Sequence, residues 1–361
     1  MLLRISGRVF VLLTVLAMAV LGPVAAQAQP STNSAILLIG DGMGPVQVEV
    51  AREYFNNQYL AMERTHDRGT VTTTNIDGKV TDSAAAGTAL ATGFKTKNGM
   101  IGMSPDKKVL ESLLERAHSM YRSTGVITTD SLTGATPACF IAHVDSRGKK
   151  EEIASQIADA NVDVMFGFST NQFLPKSKGG ERTDSRDLLV RFRQRGYEVV
   201  LTRDELLKAK GPRVVGMFED GLTAPSLAEM VKVAVGYLSQ DPDGYVLMVE
   251  GARIDWECHE HNLDGAMKEL LAFDKAVVEA VGARRRPGRP LVVITADHET
   301  GGLQRDKTFT TSGHTDTPVE VFAFGPEADA FQGKLDNTDI PHRLADIIGL
   351  GPFPGTEQSS D

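Results

Sequence analysis

The sequence predicts an α/β protein: a three-layer sandwich with a mostly parallel central sheet flanked by helices, and a site at the C-terminal strand ends. Three observations carry this. Short, continuously apolar, β-rich runs recur along the chain, as strands buried on both faces require. Longer amphipathic stretches separate them, which is the alternation of a βαβ architecture. Acids and histidines directly follow several of the apolar runs. In open parallel sheets, ligands bind beyond the carboxyl ends of the strands.

The first residues stand apart from this fold. Arg4 and Arg8 precede an apolar run at 9–21, and AQA at 26–28 offers a small-residue cleavage site. Residues 1–28 therefore read as a secretory signal peptide. The run is shorter than the roughly 20 residues that a membrane span needs. The expectation is an exported protein, periplasmic or secreted, with no stable membrane insertion after cleavage. Residues 29–355 are expected to form a single domain with an insert around 148–244. A disordered tail is expected at 356–361.

Strands are expected at 35–39 (AILLI), 124–129 (TGVITT), 245–249 (YVLMV), 291–295 (LVVIT) and 319–324 (VEVFAF). Helices are expected at 108–121, 151–160, 226–238 and 266–283. The stretch 165–177, MFGFSTNQFLPKS, reads as a surface-lining loop. The formal net charge of −9 disfavours a nucleic-acid partner. It does not disfavour a small anion, because metals or a local arginine can invert the field inside a pocket. With only Cys139 and Cys258 present, a disulfide-built scaffold is excluded. Two buried thiols or a single disulfide remain open.

The polar residues at strand ends are specific. IGDGMG at 39–44 sets Asp41 between glycines after a strand. VEGARIDWECHEH at 249–261 ends a strand on Glu250, then spaces Asp255 and His259 four apart. That spacing puts both on one helix face, where a carboxylate and an imidazole can share a Zn²⁺. His261 would face away. ITADHETGG at 294–302 carries Asp297 and His298 at a strand-to-loop bend, and SGHTDTPVEV at 312–321 carries His314 in a loop. Each alone has an ordinary reading as a turn, cap or surface residue. Together they are seven ligands, more than one four-coordinate Zn²⁺ accepts, so two or three metals are implied.

Ser83 opens the run SAAAGTALATG behind Asp82. It could be a helix N-cap. It could equally be a nucleophile, because a nearby metal and a helix N-terminus both ease loss of its proton. The helix behind it looks too small-sided for an ordinary core helix.

The motifs LLIGDGMG, TDSAAAGTALATG, ATPACFIAHVDSRG, VEGARIDWECHEHN, TADHETGG and GHTDTPV resemble those of the alkaline phosphatases, from about residue 35 to 326 and in family order. The compact length and Trp256 resemble smaller bacterial members. The resemblance implies hydrolysis of small phosphate monoesters, over a broad range and at alkaline pH, through a phosphorylated Ser83. It implies one Zn²⁺ on Asp255, His259 and His314, a second on Asp41, Asp297 and His298, and one Mg²⁺ on Asp41, Thr136 and Glu250. Arg147 would clamp two phosphate oxygens, with Asp82 orienting it. A homodimer is the family default.

Three departures qualify the resemblance. Gly134 stands where other members carry Asp or His beside the magnesium, which suggests that water replaces one partner and the third metal is held more weakly. On that reading a histidine at 134 would tighten it. Trp256 stands where many carry Lys or His. Only about a dozen residues separate HETGG from His314, where larger members insert a subdomain. The shortening suggests an open site and weakens the expectation of a dimer. A diesterase, phosphonate hydrolase or sulfatase on the same scaffold is the competing enzyme reading; Arg147 and Thr136 favour the monoesterase. An exported metal- or phosphate-binding protein is the competing non-enzyme reading; Ser83 argues against it.

Overall fold

The computed structural model describes residues 30–286 and 288–353. The signal-peptide and tail expectations lie outside these described residues. The strands are β1 (Ala35–Gly40), β2 (Arg68–Thr72), β3 (Ser123–Ser131), β4 (Val164–Phe168), β5 (Glu198–Val200) and β6 (Val214–Phe218). They continue with β7 (Tyr245–Gly251), β8 (Leu291–Thr295), β9 (Glu299–Thr300), β10 (His314–Thr315), β11 (Val319–Phe324) and β12 (Gly333–Asp336). Ten of them form one sheet in the order β12-β2-β11-β8-β1-β7-β3-β4-β6-β5. Only β11 runs antiparallel to its neighbours, so the mostly parallel sheet expected from the sequence is present.

The helices are α1 (Pro45–Tyr54), α2 (Ser83–Thr92), α3 (Leu113–Ser119), α4 (Ala135–Ala138), α5 (Lys150–Asp159) and α6 (Leu188–Gln194). They continue with α7 (Arg203–Lys208), α8 (Leu227–Leu238), α9 (Arg253–His259), α10 (Leu263–Gly282) and α11 (Asp339–Ile347). The central strands β1, β7 and β8 are buried at every residue, as their unbroken apolar runs require. The periodic helices fall close to expectation in α5, α8 and α10. Residues 108–121 do not form one helix. A capping box of Ser112 and Glu115 starts α3 late, and 103–109 pairs as an antiparallel bridge instead.

The span 148–244, expected as an insert within the domain, supplies β4, β5 and β6, one flank of the central sheet. Within it, 165–177 is a surface-lining loop only from Ser169 onward, because Met165–Phe168 lie in buried β4; even there Phe173 is fully buried. The MFGF run was a strand core hidden inside a polar-looking segment. Cys139 and Cys258 are separate buried thiols, each pushed up to about 12 by burial.

The register places the functional edge. In β1, Ile39 aligns with Glu250 on one side and Thr295 on the other. In β3, Thr128 aligns with Glu250. The C-terminal ends of four adjacent strands therefore open onto one strip, and residues at or just past those ends, 41, 130, 250 and 297, share it.

Candidate metal centre and nucleophile

Ser83 is the first residue of α2, not its cap. Asp82 holds the cap position, with Oδ1 accepting the Ala85 N–H at 2.9 Å. Ordinary capping therefore leaves Ser83 Oγ unused. All ten residues of α2 are buried, so the small side chains form a core helix after all, one that packs against α4 and α11. Ser83 Oγ lies 3.3 Å from His298 Nε2. The other oxygen of Asp82 takes Arg147 Nη1 at 3.1 Å, and both Asp82 oxygens accept the Gly99 N–H. One carboxylate thus ties the α2 entrance to the arginine.

Asp41, Asp297 and His298 form one cluster of converging ligand atoms, and Asp255, His259 and His314 form another. In the first, His298 Nε2 is 3.2 Å from Asp297 Oδ2 and 3.5 Å from Asp41 Oδ1. The bend after β8 lets neighbours 297 and 298 converge. In the second, His259 Nε2 is 3.2 Å from Asp255 Oδ2 across one turn of α9. His314 is not in a loop: β10 pairs with β9, setting His314 opposite Thr300. Its ring stacks on His298 with centroids 3.6 Å apart. Gly42 makes the join close. It has φ +72°, and a Cβ there would sit 2.8 Å from Asp255 Cα, so only glycine lets the β1 turn lie against α9. His261 stacks on Phe309 and reaches the Thr311 carbonyl, outside both clusters.

The donor set suits cations. His259 Nδ1–H donates to the Ser312 carbonyl at 2.5 Å and His314 Nδ1–H to the Thr81 carbonyl at 2.9 Å. These bonds fix the tautomers and turn the two Nε2 atoms toward each other at 3.2 Å. Two facing lone pairs need a proton or a cation between them. Asp41 Oδ1, Asp297 Oδ2 and Thr136 Oγ1 are buried without hydrogen-bond partners, although buried polar atoms are normally paired.

The electrostatics agree. Burial, followed by the charges of Asp297, Asp255 and Glu250, raises Asp41 well above the carboxylate range. Burial and then Asp255 raise Asp297 to about 7. Burial and then Asp130 raise Glu250 to about 8, although the Thr128 hydroxyl donates to its carboxylate. Burial lowers His298 to about 4, while the Asp255 hydrogen bond raises His259 to about 9. Acids crowded this way hold protons until a cation replaces them.

A carboxylate borders Gly134. A Cβ there would meet Asp130 Oδ2 at 2.4 Å, so a carboxylate from four residues upstream stands beside the place where water alone was expected. A side chain at 134 would have to push that carboxylate aside. Sequence reasoning also missed Glu299, which takes Gln47 Nε2 at 2.7 Å and the Thr315 hydroxyl at 2.5 Å and so anchors the β9–β10 hairpin.

The family model described as alkaline phosphatase matches residues 32–308, ending just before His314. Alkaline phosphatase 4 of Bacillus subtilis (strain 168) is 35% identical over 306 residues, covering 77% of this chain and 63% of that protein. Streptomycin-6-phosphate phosphatase of Streptomyces griseus is 32% identical over 408 residues, covering 88% of this chain and 91% of that protein. The alkaline phosphatase structure from the Antarctic bacterium TAB5 superposes with a TM-score of 0.81 at 31% identity, covering 89% of this chain and 99% of that one. A variant of the TAB5 enzyme holds Mg in its M3 site. With its fold, its motifs and most of its length matched, the chain belongs to the alkaline phosphatase family of metal-dependent phosphomonoesterases.

Proposed function

We propose that this chain hydrolyses small phosphate monoesters by passing the phosphoryl group through Ser83. The observation that carries the reading is Ser83 Oγ itself. It is buried, freed from capping by Asp82, and set 3.3 Å from His298 beside the Asp82–Arg147 pair.

In this reading Ser83 Oγ attacks phosphorus, the P–O bond to the alcohol breaks, and water then cleaves the phosphoserine to release phosphate and restore the hydroxyl. Arg147, held by Asp82, grips two non-bridging oxygens in a bidentate fork. A monoester dianion carries two charges over three non-bridging oxygens, whereas a diester carries one charge over two, so the arginine and the cations favour the monoester. Two Zn²⁺, on Asp41, Asp297 and His298 and on Asp255, His259 and His314, with one Mg²⁺ on Asp41, Thr136 and Glu250, would supply Lewis acidity and offset the converging negative charge. His259 and His314 are held in orientation by their bonds to the Ser312 and Thr81 carbonyls.

Residues 1–28 are proposed to direct export. Among the described residues no helix is long and apolar enough to cross a membrane. A homodimer is proposed on the family resemblance, and the mass in solution tests it. The chemistry is tested by acid-quenching the enzyme with a nitrophenyl monoester and mapping the phosphorylated residue, alongside metal analysis. The expected result is phosphate on Ser83, two zinc and one magnesium per chain, no label in Ser83→Ala, and a rate about a thousandfold lower or less in that variant. Undiminished turnover in Ser83→Ala, or equal rates on the corresponding diester, would overturn it.

A further inference from the structure

The chain turns at 132–134 between β3 and α4, and Asp130 is the penultimate residue of β3. Its N–H donates to Thr128 Oγ1 at 2.9 Å, and the Thr128 hydroxyl donates to Glu250. The position of Asp130 is therefore fixed relative to Glu250 through one shared hydroxyl. Asp130 Oδ1 accepts the Ser131 N–H at 2.6 Å. Among the described residues Oδ2 has neither a hydrogen bond nor an ion pair. It fills the volume above Gly134, where a Cβ would lie 2.4 Å away. Two residues further on, Thr136 Oγ1 is buried and unpartnered. Lys150 is the positive charge that acts most on Asp130, but its ammonium is engaged by the Thr133 carbonyl at 2.6 Å.

We propose that Asp130 completes the oxygen shell of the divalent cation held by Asp41, Thr136 and Glu250. The inference rests on the third-metal reading given above and adds a residue to it. Every atom in the set is an oxygen, which suits a hard cation such as Mg²⁺ over Zn²⁺. Three carboxylates and a hydroxyl leave room for the waters that Mg²⁺ keeps. The same geometry explains the glycine at 134. A side chain there and the carboxylate of Asp130 compete for one volume, so this chain delivers from 130 what could also be delivered from 134. The third cation is then held firmly rather than loosely.

The test uses the full zinc-loaded protein titrated with Mg²⁺ by calorimetry, with zinc and magnesium counted per chain after gel filtration. Asp130→Asn is expected to weaken Mg²⁺ binding by about ten- to a hundredfold while zinc content stays unchanged. Asp130→Ala should do the same, and the double change Asp130→Ala with Gly134→Asp should recover most of the affinity, since Gly134 has φ −53° and accepts a side chain once the volume is clear. Failure of that recovery would mark Asp130 as a structural residue of the β3 end and overturn the proposal, as would loss of zinc together with magnesium in Asp130→Asn. Glu250→Gln separates the two readings. If it abolishes Mg²⁺ binding while Asp130→Asn binds as the parent does, the role of Asp130 falls and the third site stands. If Glu250→Gln also binds unchanged, both fall.

Discussion

Asp82 does three things at once: it caps α2, it receives Arg147, and it fixes the loop at Gly99. Ser83 is thereby left with no structural duty. The arginine, by contrast, is 41% exposed on its side chain and so faces solvent from which a phosphate could arrive. Charge-assisted hydrogen bonds are worth about 1.5–3 kcal/mol each. Arg147→Ala is therefore expected to lower kcat/KM on a monoester by about ten- to a hundredfold and to weaken inhibition by inorganic phosphate to a similar degree. Steady-state kinetics with phosphate as inhibitor measure both. An unchanged inhibition constant would remove Arg147 from phosphate binding. Most of these residues were legible as single letters because acids and histidines after apolar runs are rare unless a site needs them. Asp130 was as legible as the rest, since it directly follows the 124–129 run. The family pattern puts the corresponding side chain at 134, so the resemblance does not point to 130.

Elements decide whether the clusters close. The turn after β1 must lie against α9, and Gly42 is the contact. Its carbonyl takes the Thr300 N–H at 3.2 Å and its N–H reaches Asp297 Oδ1 at 3.2 Å, so one residue joins β1, β9 and the β8 end. Gly42→Ala meets both a left-handed backbone, costing about 1–2 kcal/mol, and a clash with Asp255. Lower zinc content and a lower melting temperature are expected, read by elemental analysis and calorimetry. Full zinc retention would show that the turn can shift without loss. The long helices and central strands were legible because periodicity and apolar continuity are local. The late start of α3, the two-residue pairing that delivers His314, and the strand hidden at 165–168 were not. Each depends on a partner distant in sequence or on a cap that outcompetes helical periodicity.

At the scale of the molecule, the site is a concentration of like charge that the fold alone does not neutralise. Without metals, Glu250 keeps its proton up to about 8 and His259 up to about 9, whereas the unfolded groups release theirs near 4.5 and 6.5. The folded state then binds more protons than the unfolded one, so stability must fall as pH rises. His298, lowered to about 4, acts in the opposite direction but only below its unfolded value of 6.5. The metal-stripped protein is therefore expected to lose melting temperature between pH 6.5 and about 9, and zinc with magnesium should restore it most at the upper end. Calorimetry on chelated and reloaded samples checks this, and a flat profile in the stripped protein would contradict it. The order of the sheet has one more consequence, which concerns timing. The first strand to be synthesised lies between β7 and β8, so it waits for neighbours that emerge more than two hundred residues later. A half-made chain has no closed centre. Both cation clusters draw on residues made late, His298 and His314 among them, so the site can assemble only once those have been synthesised.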